Sequence, residues 1–177
     1  MQRRRYVLLS AVALMVLSAV ASVSAAYAPS PASHRDVTVI RAIGDENFEP
    51  NALIYSTFRF DPERSFPHQG DRVRLVDRDA VEGAPHTLTV VRNSQLPQTP
   101  AEVFGGCAAC DLALEAHFSS DPPRLRVGTG DGLNEPGDSL LIFEGEGIGA
   151  NVTAPSGSVL YYLCAIHPWM QGRLVVG

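Results

Sequence analysis

The chain has 177 residues, 45% of them hydrophobic, with 14 arginines, no lysine, 19 acidic residues and a formal net charge of −5. That length holds one compact domain after any leader is removed. An acidic balance with no basic face excludes a nucleic-acid partner.

In chain order, residues 1–28 read as a signal peptide. Arg3-Arg4-Arg5 is a basic start, residues 6–20 are almost wholly apolar, and small residues follow at Ser24, Ala25, Ala26 and Ala28. Val23-Ser24-Ala25 and Ala26-Tyr27-Ala28 both fit small-x-small cleavage. Residues 6–28 also reach the ~20 residues needed to span a bilayer, so an uncleaved anchor is the alternative. Either way the chain is expected to be exported, periplasmic or extracellular, touching a membrane only if the leader stays. Removing the leader's arginines leaves 11 basic against 19 acidic residues, a net charge of −8. Residues 29–35 are a short Pro/Ser/Ala tether, and residues 36–177 are the domain.

Strands are expected over 36–43, 52–60, 71–77 and 84–91. Each is rich in β-branched or alternating apolar residues and bounded by turn formers. Further strands are expected over 139–143, 151–154, 159–164 and 173–176. Short strands at this spacing predict an all-β, Greek-key β-sandwich. Between them, residues 93–138 form a partly helical insertion, and residues 93–150 carry 2 arginines and 9 acids, a net charge of −7. Thr99 is expected to cap a helix with Pro100 in its first turn. Residues 112–118 have partial helical periodicity, with Leu112, Leu114, Ala116 and Phe118 as its apolar positions.

The chemistry gathers near the C-terminus. Cys164, His167 and Met170 stand three residues apart, between an apolar strand and the closing Leu174-Val175-Val176. A thiol, an imidazole and a thioether are ligands that suit copper. His86, at the head of the 84–91 strand, is the expected fourth ligand, giving a trigonal site with a weak axial thioether. The cysteine count agrees: three in an exported chain leaves one over, and a metal would hold Cys164 as a thiolate. Cys107 and Cys110 form a C-x-x-C. In an oxidising compartment they read as a local disulfide bracing the insertion, the alternative being a second metal site with His117, for which no fourth ligand is evident. His34 and His68 are expected to be solvated. Asn151-Val152-Thr153 fits a glycosylation acceptor, although a continuing strand explains it more simply.

Gly83-Ala84-Pro85-His86-Thr87 resembles the first-ligand segment of the cupredoxins, the plastocyanin, azurin and amicyanin family of blue copper proteins. The run Tyr162-Leu163-Cys164-Ala165-Ile166-His167-Pro168-Trp169-Met170 resembles their ligand loop, with amicyanin's short gap before Met170. The resemblance covers about residues 36–92 and 139–177. It implies an eight-stranded sandwich, one type 1 copper per chain, and single-electron transfer between redox proteins without catalysis. It also implies a partner-docking patch at Pro168 and Trp169, beside the edge of His167. The chain departs from the family in having Thr87 where Asn often braces the loop, and in the acidic insertion, which would suit a partner with a basic docking surface. Copper oxidases and nitrite reductases need further histidines, and none of the five here forms a His-x-His pair. The alternatives are a copper carrier or storage protein, or an electron-transfer module of a copper enzyme system.

Overall fold

A computed structural model describes residues 36–145 and 147–177. The expected leader, the tether and His34 lie outside the described residues. Among those described, no helix is long and apolar enough to cross a membrane.

Among the described residues, thirteen strand segments make the fold. In chain order they are β1 (Val37–Ile43), β2 (Glu46–Glu49), β3 (Leu53–Ser56), β4 (Arg59–Asp61), β5 (Arg64–Ser65), β6 (Arg72–Asp77) and β7 (His86–Val91). After the insertion begins come β8 (Arg126–Val127), β9 (Gly132–Leu133), β10 (Ser139–Ile142), β11 (Gly147–Val152), β12 (Val159–Leu163) and β13 (Gln171–Val175). One sheet has the order β4-β1-β6-β11-β9 and the other β5-β13-β12-β7-β10-β8. The chain changes between these two sheets after β4, β5, β6, β8, β9, β10 and β11, so the expected Greek-key sandwich is present. The segments outnumber the eight strands of the resemblance because several are two- or three-residue edge pairings.

Alternation sets the sandwich. In β6, Arg72 and Arg74 face outward while Val73 and Leu75 are fully buried. Leu88, Leu140, Tyr162 and Leu174 meet them from the other sheet in one core. Complete burial of each such aliphatic side chain contributes about 1.5–3 kcal/mol.

The expected strand over 52–60 is two elements. β3 pairs only with β2, as a separate hairpin, and leaves Phe48, Leu53, Ile54 and Tyr55 exposed. β4 joins the first sheet through β1, burying Phe60. The split occurs because the hairpin is clamped at its base, with Thr57 N donating to Asp45 O at 2.8 Å and Asp45 N to Thr57 Oγ1 at 2.9 Å. Gly44 makes the turn into it at φ 131°, where a Cβ would lie 2.6 Å from Thr57 O.

The insertion forms a 3₁₀ turn (Asn93–Gln95), helix α1 (Pro100–Phe104) and helix α2 (Ala108–Phe118). Thr99 caps α1, as expected, and Glu102 completes a reciprocal capping box with it. The apolar positions of α2 are not all on its buried face. Leu112 and Phe118 are exposed, whereas Cys110, Ala113 and His117 are buried at i, i+3 and i+7. That face packs with Val91, Leu163 and Ala165 on the outer side of the second sheet. All six residues of β7 are therefore buried, on both faces.

Candidate metal centre

The site lies where β7 begins and β12 ends. These strands are antiparallel neighbours, with Leu163 opposite Thr89, so Cys164, one residue past β12, arrives beside Thr87. Thr87 N donates to Cys164 Sγ at 3.3 Å, and Ala165 N donates to Thr87 Oγ1 at 2.7 Å. The loop then closes on itself: Met170 N donates to His167 O at 2.8 Å, and Cys164 N donates to Met170 O at 3.0 Å. This tight return is why the three side chains are spaced by three residues and still share one end of the sandwich.

Of the four expected ligands, His86, Cys164 and His167 are brought together. Their ligand atoms all lie within 4.8 Å of one another. Cys164 Sγ is 3.9 Å from His86 Nδ1 and 3.7 Å from His167 Nδ1, and the two Nδ1 atoms are 3.3 Å apart. Met170 is fully buried in the core that also contains Cys164. His167 is half-buried, with Pro168 and Trp169 beside it. The Trp169 ring is 36% exposed and 5.3 Å from the imidazole of His167, so it borders the histidine edge and is not core.

Two further groups shape the site. Phe58, buried, packs edge-on against His86 at 5.2 Å and tilted against His167 at 4.8 Å, walling the imidazoles from the interior. Asp79 Oδ2 lies 2.5 Å from His86 Nε2, both side chains being 0% exposed. A carboxylate there accepts the Nε2 proton and leaves the Nδ1 lone pair facing Cys164. That is the tautomer a metal requires.

The electrostatics follow from this packing. Burial alone would push the Cys164 thiol up, yet the His167 and His86 imidazoles beside it draw it down to about 6, favouring the thiolate. Burial opposes charge on His86 as well. The Cys164 sulfur and the Asp79 carboxylate outweigh it and raise the imidazole above its ordinary value. Two imidazoles and a thiolate, closely packed, with His86 and Cys164 fully buried and His167 half-buried, are a donor set for a soft or borderline cation.

Asp77, Asp79 and His86 also cluster, but their polar atoms are already used. Asp77 accepts from Asp79 N at 3.1 Å and Gly145 N at 3.1 Å, and Asp79 Oδ1 accepts from Val81 N at 2.7 Å. This trio is scaffolding for His86.

Cys107 and Cys110 form a disulfide, with S–S 2.02 Å. The alternative second metal site therefore has no thiolates. His117, its third candidate, is fully buried with both ring nitrogens engaged: Nδ1 with Arg124 O at 2.5 Å and Nε2 with Ser139 Oγ at 2.8 Å. His68 is exposed, as expected. Asn151 lies within β11, paired to both Arg72 and Gly132, so it sits in a sheet and not in a loop.

Part of the insertion's negative charge is spent internally. Asp138 is buried, accepting from Thr129 N, Asn134 N and Glu135 N at 3.3, 2.8 and 3.0 Å. Asp79 and Phe58 were not legible as site residues. Asp79 stands in an ordinary acidic turn, Asp77-Arg78-Asp79, and Phe58 in a run that resembles any β-strand.

No protein-family model matches the chain, and no curated protein matches it in sequence. Among solved structures it is similar to a purple cupredoxin from Nitrosopumilus maritimus, with 14% identity over 79% of this chain and 99% of that one, at a TM-score of 0.43. Auracyanin A, a blue copper protein from Chloroflexus aurantiacus, has 17% identity over 80% of this chain and 99% of that one, at a TM-score of 0.43. Oxidised plastocyanin from Dryopteris crassirhizoma has 16% identity over 79% of this chain and 100% of that one, at a TM-score of 0.39.

Proposed function

We propose that this chain is an exported type 1 copper protein that carries single electrons between redox proteins. The observation that carries this reading is the buried convergence of His86 Nδ1, Cys164 Sγ and His167 Nδ1, with the thiolate form of Cys164 favoured. These three would hold the metal in a trigonal set, with Met170 as the weak fourth ligand. A copper ion held there supplies a one-electron couple. The chain supplies the rest. Strand β7 and the closed 164–170 loop hold the ligands rigidly, so little rearrangement accompanies a change of charge. Asp79 fixes the His86 tautomer, and Phe58 excludes water on the inner side. His167, half-exposed between Pro168 and Trp169, is the route to a partner. The exposed acids left on the insertion favour a partner with a basic docking surface.

Reconstitution with Cu(II) tests the assignment. The protein should absorb intensely in the visible through thiolate-to-copper charge transfer, and Cys164→Ser should abolish the band. A colourless Cu(II) form with the paramagnetic resonance of ordinary tetragonal copper sinks the reading. Reversible one-electron voltammetry then separates an electron shuttle from a copper carrier, whose response would be sluggish or irreversible.

A further inference from the structure

The outer face of β7 is polar where it should be solvated, and it is buried. Thr87 and Thr89 are 0% and 1% exposed, and Ser139, opposite Thr89 on β10, is 1% exposed. α2 covers them and sets His117 against Ser139. The four side chains form one unbroken chain: His117 Nε2 to Ser139 Oγ at 2.8 Å, Ser139 Oγ to Thr89 Oγ1 at 2.7 Å, and Thr89 Oγ1 to Thr87 Oγ1 at 2.9 Å. It ends on the loop, where Ala165 N donates to Thr87 Oγ1 at 2.7 Å.

The chain has one direction. Arg124 O can only accept, so His117 Nδ1 carries a proton. Burial disfavours the imidazolium, so Nε2 is an acceptor. Ser139 must then donate to His117, Thr89 to Ser139, and Thr87 to Thr89. Thr87 is left with its lone pairs facing Ala165 N–H. Each hydroxyl is fixed by the one before it, and aligned hydrogen bonds polarise one another in a dry interior. The same Thr87 residue donates its backbone N–H to Cys164 Sγ at 3.3 Å.

We propose that His117, contributed by the insertion, is a positioning residue of the metal centre, acting through Ser139, Thr89 and Thr87 on the Cys164–Ala165 peptide. The proposal rests on the copper reading for its redox consequence but not for its hydrogen-bond consequence. Without the His117 acceptor, Ser139 can turn its proton to Thr89 and reverse the chain. Thr87 then loses its own acceptor, and its hold on Ala165 loosens. Weaker hydrogen bonding around the thiolate sulfur favours the oxidised metal and lowers the reduction potential.

The test uses the full chain with Ser139→Ala, His117→Phe, His117→Gln and the Ser139→Ala/His117→Phe double variant. In metal-free protein, hydrogen exchange at the Ala165 amide should quicken in Ser139→Ala and His117→Phe relative to core amides such as Leu88. In copper-loaded protein both should lower the potential and shift the charge-transfer band. The double variant should match the singles, because both cut one chain, and His117→Gln, which keeps an acceptor for Ser139, should restore most of the parent behaviour. Unchanged Ala165 exchange in Ser139→Ala, which removes only a hydroxyl and should fold, overturns the proposal, as does full additivity in the double variant. A parent protein that takes up no copper refutes the function proposed above and leaves the exchange measurement to decide this one.

Discussion

Asp79→Asn should weaken metal binding far more than a one-atom change suggests. Asp79 uses both oxygens, Oδ1 for Val81 N at 2.7 Å and Oδ2 for His86 Nε2 at 2.5 Å. Asparagine has one oxygen. If it stays with Val81, an NH2 group faces Nε2, and His86 must move its proton to Nδ1, the atom aimed at Cys164. If it turns to His86, Val81 N–H is left facing a donor. Both side chains are 0% exposed, so water does not relieve either arrangement. A buried charge-assisted hydrogen bond contributes about 1.5–3 kcal/mol, and loss of a carboxylate behind a ligating histidine typically lowers metal affinity by ~10–100-fold. Cu(I) affinity measured by competition with a chromogenic chelator reads this directly. Nitrogen chemical shifts of the His86 ring in metal-free protein should show the tautomer change. An Asn variant that binds within about twofold of the parent, with the Nε2 proton retained, would falsify the argument that Asp79 sets the ligand's tautomer.

Phe58→Ala should cost about 3–5 kcal/mol, as for other buried aromatics, and broaden the charge-transfer band, checked by urea unfolding and absorption; an unchanged midpoint contradicts it. Replacing Cys107 and Cys110 by serine opens a four-residue loop, worth about 2 kcal/mol in the chain-entropy account, and should lower the melting temperature by about 4–8 °C in calorimetry. His117 supplies a pH dependence. Burial holds its folded value below the ordinary 6.5, so the unfolded chain takes up the proton first, and its contribution to stability, full above about pH 6.5, is lost as the pH falls towards the folded value. Urea midpoints of metal-free protein at pH 7.5 and 5.5 should therefore differ more in the parent than in His117→Gln, and equal differences would count against a buried neutral His117.

The sequence by itself determined the sandwich and singled out the candidate ligands that the fold brings to one end of it. Alternation in β6 and the β-branched runs fix which faces are buried, because a period of two leaves a strand no other way to hide its apolar side. Cys164, His167 and Met170 were legible because their spacing is local, set by one closed loop, and His86 because it heads a strand with a proline before it. The helix cap at Thr99 was legible for the same reason. What surrounds the ligands was not. Asp79, Phe58, Thr89 and Ser139 reach the site or its bracing through register and packing, and nothing in their own neighbourhoods distinguishes them from ordinary turn and strand residues. The buried face of α2 was not legible: Leu112 and Phe118 have the hydrophobicity of core residues, but α2 turns the smaller Cys110 and Ala113, with His117, onto the sheet. Small residues let the helix approach β7 and β12 closely, and the polar face of Thr87, Thr89 and Ser139 gives His117 partners that a leucine would lack. Only the tertiary structure could decide this, since it depends on a strand's outer face that the sequence presents as solvent-facing until a second element covers it.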